Sequence, residues 1–374
     1  MRMIRSIWIG LAVLLVGIAS LGWFAMTGTT KSAAATQYTT NVGGGKNSIS
    51  VETYRPSVIF VNEGDSVQFM NNYDEIHTVT FLGGTKEPDL IIPAPESPKS
   101  GPPKLIFNPD AAFPAPQSPS PTFKASTYMN SGILNKGDSW NVSFATQGTY
   151  SFLCLVHPGM TGSVTVLPAG VHVPTQAQRD AEAQTQLAND LAAGEKAASA
   201  VTTSKTPSSN GTSNWDVKTG PSAGQADVLR FLPAQLNIGA GDTVTWANNS
   251  GVPHTVTFLS GGPDLDLFTA VNQPKGPPEL VLTPEVVFPS KPSQTYDGTG
   301  YYNSGFITAD PALSTGGTTF SLTFTKPGTY EYICHLHDDQ GMKGTIQVGP
   351  QTTFRPPATG SAGLAAVSSD ESLP

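Results

Sequence analysis

The sequence predicts an all-β protein of two tandem β-sandwiches, and three observations carry that expectation. In 374 residues only 13% are charged while Gly (38) and Pro (32) abound, which suits many turns and few long helices. Short apolar or alternating runs are punctuated by turn signals such as Asn62-Glu63-Gly64-Asp65 and its counterpart Gly239-Ala240-Gly241-Asp242. The chain also repeats itself: Asn71–Phe81 recurs as Asn248–Phe258, and Gly148–Met160 recurs as Gly328–Met342. At the usual ~100–200 residues per domain, the length accommodates both copies and their connections.

In chain order, Arg2 and Arg5 precede an uncharged apolar run from Ile7 to Met26. Residues 1–30 are therefore expected to be a signal peptide or a membrane anchor. The run exceeds the ~7–15 apolar residues of a cleaved signal and reaches the ~20 needed to span a bilayer, which favours an anchor with its basic end inside. Residues 27–47, rich in Thr, Ser, Ala and Gly, read as a flexible spacer. The first domain is placed at 40–170, with strands expected over 48–54, 57–61, 66–69, 77–82, 149–153 and 163–167.

The Pro-rich stretch from Gly83 to about Met129 would pass for a disordered insert on its own. The duplication argues for order, because Gly101-Pro102-Pro103-Lys104-Leu105-Ile106-Phe107 aligns with Gly276-Pro277-Pro278-Glu279-Leu280-Val281-Leu282, and Asn130-Ser131-Gly132 with Asn303-Ser304-Gly305. Each insert is expected to pack on its own domain. Residues 171–211 form a linker: Thr175 to Ala200, rich in Ala, Gln and Glu with Leu187 and Leu191 four apart, reads as a solvated helix, and 201–211 as a hinge. The second domain occupies 212–350, with strands over 329–333 and 344–348, and 351–374 is a small, polar tail expected to be disordered.

The chemistry is concentrated in two loops. Cys334, His337 and Met342 lie within nine residues, and Cys154, His157 and Met160 within seven; a lone His heads an apolar run upstream of each, His254 and His77. A soft Cys sulfur, two imidazole nitrogens and a weak axial Met sulfur are the donors of a blue (type-1) copper site. Only these two cysteines occur, one per repeat, so no disulfide can form within either domain. A Met donor argues against structural Zn, which takes Cys, His and carboxylates. A net charge of −8 offers no basic patch for nucleic acid.

The spacing Cys-x2-His-x4-Met in the second loop resembles plastocyanin, and Cys-x2-His-x2-Met in the first resembles amicyanin. With the upstream His after an Asn-rich turn and the Gly-Thr-Tyr strand entry, the chain resembles the cupredoxin family over most of residues 40–168 and 212–349. That resemblance implies Greek-key sandwiches, two type-1 copper ions per chain, and redox protein partners. It also implies that the loop histidines, His157 and His337, present a ring edge near the surface as the electron portal. The inserts between ligand His and ligand Cys depart from it, being several tens of residues longer.

The expected function is an extracytoplasmic, anchored or secreted, electron-transfer protein without catalytic residues. Copper buffering or delivery ranks second, since Met and His are few and confined to two enclosed sites. A two-domain oxidase or nitrite reductase ranks lower, because four of the six histidines are already used and only His172 and His335 remain. His335, directly after Cys334, resembles an oxidase pattern, but in a strand it points away from the Cys and reads as a surface or interdomain residue.

Overall fold

A computed structural model describes residues 34–290 and 294–350. The expected leader at 1–30 and tail at 351–374 lie outside the described residues. Among those described, no helix is long and apolar enough to cross a membrane.

Both repeats fold as sandwiches of two sheets. In the first, Gln37–Lys46 pairs antiparallel with Ile49–Arg55 and parallel with Ser66–Asn71, which pairs with Ser139–Ser143. The facing sheet runs Val58–Asn62, Thr161–Leu167, Gly148–Leu153, Thr80–Phe81, Met129–Asn130. The second repeat has the same plan. Ser213–Thr219, Thr243–Ala247 and Thr319–Phe324 lie against Gln235–Gly239, Lys343–Gly349, Gly328–Ile333, Thr257–Phe258 and Tyr302–Asn303. Strict alternation turns Val67 and Phe69, or Val244 and Trp246, inward while their neighbours face out.

The turns between strands are tied in the same way in both copies. Asp65 accepts from the backbone N–H of Asn62 and of Thr36, and Asp242 from those of Gly239 and Ser213. Aromatic side chains fill the cores, with Phe69 edge-on to Phe152 at 5.2 Å and Trp246 to Tyr332 at 5.3 Å. Trp246 is fully buried. Trp246→Ala is expected to lower the unfolding free energy by ~3–5 kcal/mol; an unmoved denaturant midpoint would show that this ring does not hold the second core.

Several expectations are corrected. Residues 27–47 are not a spacer throughout, because Gln37–Lys46 is a strand with neighbours on both sides and Val42 buried. Its Thr, Asn and Gly content hid it. The 201–211 hinge contains a strand, Ser204–Pro207, paired with Ser213–Asp216 of the second sandwich. The predicted helix exists as Gln176–Ser199, opened by a capping box between Thr175 and Gln178. It is not solvated all round, since Leu187 and Leu191 pack on Ile49, Val51, Ala226 and Val228.

That packing arises because the repeats share structure. From Ala35 onward the described chain is one compact unit. The hairpin Ser222–Ala223/Ala226–Val228 of the second repeat extends the first repeat's sheet, pairing Ala226 with Val51, Asp227 with Ser50 and Val228 with Ile49. The inserts pack on their own domains only in part: Phe123 and Tyr296 enter the first and second cores, while the earlier stretches join one another. Leu105–Phe107 pairs with Glu279–Leu282 through Ile106 and Val281, and Ile91–Pro93 and Phe268–Val271 complete a four-stranded sheet. Under it lie Phe107, Leu282, Val286, Val287 and Phe306, and Lys104 reaches Glu279 at 2.6 Å.

Candidate metal centres

The side chains expected to act together are brought together twice. In the first repeat Cys154 Sγ lies 3.9 Å from His77 Nδ1 and 3.8 Å from His157 Nδ1, with the two nitrogens 3.1 Å apart. In the second, Cys334 Sγ lies 3.8 Å from His254 Nδ1 and 3.5 Å from His337 Nδ1, with the nitrogens 2.9 Å apart. All six are buried.

Local sequence builds each group. Gly148–Leu153 and Gly328–Ile333 end where the Cys begins its loop, and the loop closes on itself. Cys154 N–H donates to Met160 O and Cys334 N–H to Met342 O, which sets the next strand. Met160 and Met342 are buried in the same apolar clusters as the cysteines. The upstream His is held by the Asn-rich turn. Asn71 Nδ2 donates to Glu75 O and Leu134 O, and Asn248 Nδ2 to Val252 O and Ile307 O.

The next residue ties His strand to Cys loop. Thr78 donates its N–H to Cys154 Sγ and accepts from Leu155 N–H, as Thr255 does with Cys334 and His335. The Asn130-Ser131-Gly132 repeat supports this strand: Ser131 Oγ accepts from Val79 N–H and Asn130 Oδ1 from Thr80, with Ser304 and Asn303 in the second copy. Sequence comparison of the two copies marked these residues without revealing that they brace the His strand.

The arrangement suits a metal ion. Bonds of ~2.0–2.1 Å to nitrogen and ~2.3 Å to sulfur put donors ~120° apart at ~3.5–3.8 Å, close to the N···S separations here. The shorter N···N distances correspond to angles of ~90–100° at the same bond lengths. Burial keeps every donor neutral in the absence of metal. It lowers His157 and His337 to about 3 and raises both Cys thiols to about 11. His77 and His254 are lowered well below the ordinary imidazole range, by burial and then by the neighbouring His. A metal that binds the thiolate must therefore displace its proton.

Two carboxylates that sequence reasoning missed stand beside these groups. Glu52 Oε2 lies 3.2 Å from His157 and 3.7 Å from His77, and Glu75 Oε1 lies 3.5 Å from His337 Nε2. Both are buried, and burial raises Glu75 to about 8 and Glu52 well above its ordinary value, Asp227 nearby acting in the same direction. One signal was available: Glu75 stands where the second copy has Val252.

Other expectations also meet the structure here. His157 and His337 do not present an edge to solvent, each being only 4% exposed. His335 joins neither group. Its ring contacts Tyr301 at 3.1 Å and Asp264 at 2.8 Å within its own repeat, so it is neither a surface nor an interdomain residue. His172 is exposed.

A buried thiol with two imidazoles at one end of a β-sandwich defines a type-1 copper protein, and the two His–Cys–His groups fit two such sites. The chain belongs to the plastocyanin/azurin family of copper binding proteins, whose model matches residues 39–167 and 217–349. Among its relatives, plastocyanin of Scenedesmus fuscus is 32% identical over 132 residues, 35% of this chain and 96% of that one. Chloroplastic plastocyanin of Hordeum vulgare is 33% identical over 133 residues, 36% of this chain and 61% of that one. An oxidised amicyanin variant of known structure aligns at 17% identity and a TM-score of 0.21, over 35% of this chain and 82% of that one.

Proposed function

We propose that the chain is a two-centre electron carrier with one type-1 copper held by His77, Cys154, His157 and Met160 and another by His254, Cys334, His337 and Met342. The observation that carries this is the occurrence, twice in one chain, of a buried Cys with two Nδ1 atoms at bonding distance from a common point. When bound, copper supplies a one-electron couple. The residues supply a frame with donors fixed by strand ends and by Thr78 and Thr255, so that little rearranges when the charge changes.

The carrier reading rather than an enzyme is supported by the histidine count. Of six, four lie in the two groups, His335 is engaged with Tyr301 and Asp264, and His172 is exposed. The apolar run Ile7–Met26 supports a place in the cell envelope, on the outer face of the cytoplasmic membrane or secreted, and exchange with redox proteins there. A tether would hold the carrier at high effective concentration near membrane oxidoreductases.

The test is to load the protein with copper, reduce it, and follow the blue absorbance on mixing with oxygen, nitrite or an oxidised redox protein. Slow reoxidation by oxygen and nitrite and fast reoxidation by the protein are expected. Rapid multiple turnover with oxygen or nitrite would sink the carrier reading and make His335 the first residue to mutate.

A further inference from the structure

The loop histidines of the two groups are turned toward one another. His157 and His337 line the same cavity of about 200 Å³ between the sandwiches, together with Ile76, Val156, Val252 and Leu336. Each is covered by the other repeat. His157 and Pro158 face Gln225, Asp227 and Val252, while His337 meets Glu75 at 3.5 Å. Gln340, in the second copper loop, donates to Glu75 Oε1 at 3.2 Å and to Asp74 O, and its own carbonyl accepts from Ser48 Oγ at 2.6 Å.

This face is closed by more than side chains. The hairpin pairing of Ala226, Asp227 and Val228 with the first sheet and the pairing of Ile106 with Val281 clamp it from two sides. His157 and His337 are each only 4% exposed, so neither ring edge is laid open to solvent. What each edge can reach is the other site.

We propose that the two centres form an internal redox pair, joined through Glu75, whose side chain lies against His337 while its main chain leads through Ile76 to His77. One electron leaves the reduced centre and enters the oxidised one, and no other reactant takes part. Glu75 is a positioning residue in this scheme: it places a ring of one site on a bonded path to a ring of the other, with one van der Waals step in between. The second repeat has no equivalent, since Val252 occupies the matching position. The proposal rests on both groups holding copper.

The test uses the full chain loaded with two coppers. Copper count and blue bands establish the loading first, so a protein that fails there overturns the copper reading and not the pairing. In the fully oxidised protein, pulsed EPR is expected to show a dipolar coupling between two Cu(II) spins that vanishes in Cys154→Ser and in Cys334→Ser. A spectrum equal to the sum of those two variants would overturn the pair.

After reduction by less than one electron per chain, the two bands are expected to redistribute at a rate independent of protein concentration. A rate proportional to concentration would mean that electrons pass between molecules. Glu75→Ala is expected to slow redistribution, as the 3.5 Å contact with His337 gives way to a longer jump through space, with the dipolar coupling retained. Glu75→Gln, which keeps the reach to His337, is expected to stay near the native rate. Equal rates in Glu75→Ala and the native chain, or equal slowing in both variants, would remove Glu75 from the path.

Discussion

A Cys334→Ser chain is expected to bind one copper where the native chain binds two, and to lose the blue absorption of the second centre while keeping that of the first. The colour of a type-1 site belongs to the copper–thiolate bond, and a hydroxyl oxygen is a poor substitute for that soft donor. Size is not the reason for the loss, since Ser fits where Cys334 sits fully buried among Tyr332, Met342 and Val256. Thr255 N–H, which donates to Sγ at 3.3 Å, can donate to the hydroxyl as well. The fold should therefore persist and the defect stay confined to the metal. Cys154→Ser is expected to give the converse spectrum. Copper counting beside the visible spectrum checks both, and two full blue centres in either variant would show that the assigned Cys is not a ligand.

Gly43→Ala should disable the first centre from outside the ligand set, and Gly220→Ala the second. A Cβ on Gly43 would lie 1.9 Å from His77 Nε2, and one on Gly220 would lie 1.9 Å from His254 Nε2. The backbone is left-handed at both, with φ of +64° and +63°, a conformation costing a residue with a Cβ roughly 1–2 kcal/mol. The added methyl must push back an imidazole ring that is completely buried. Displacing the support behind a ligand ring costs metal affinity on the order of 10–100-fold, and direct overlap should reach at least that. Copper titration followed by the blue band checks this, each variant losing affinity at one site only. Unchanged affinity at both sites would mean that the strand carrying Gly43 or Gly220 gives way instead of the ring.

These glycines also show where sequence reasoning stops. Gly43 falls in a stretch that reads as a spacer, because nothing in Thr, Asn and Gly marks a strand. The strand is made by partners far along the chain, Ser66–Asn71 on one side and Ile49–Arg55 on the other. Glu52 and Glu75 escaped notice for a related reason. A carboxylate in a strand or turn is ordinarily solvated, and only the closing of the second repeat over the first buries these two beside His157 and His337. The inserts were legible as ordered from their duplication, yet the partner each chose, the other insert, was not.

The sequence by itself determined the all-β class, the duplication, and which Cys and His of each loop meet an upstream histidine. Ligand spacing within a loop, turn residues and strand alternation are local, and a repeat displays them twice. Only the tertiary structure decided that the repeats share two sheets, that the helix packs at their junction instead of standing in solvent, and that the ring edges expected at the surface face one another inside the chain. Those outcomes depend on apolar area and backbone pairing between residues tens to hundreds of positions apart, such as Ile106 with Val281 or Val51 with Ala226. No local pattern records which of several apolar faces will be the one to meet another.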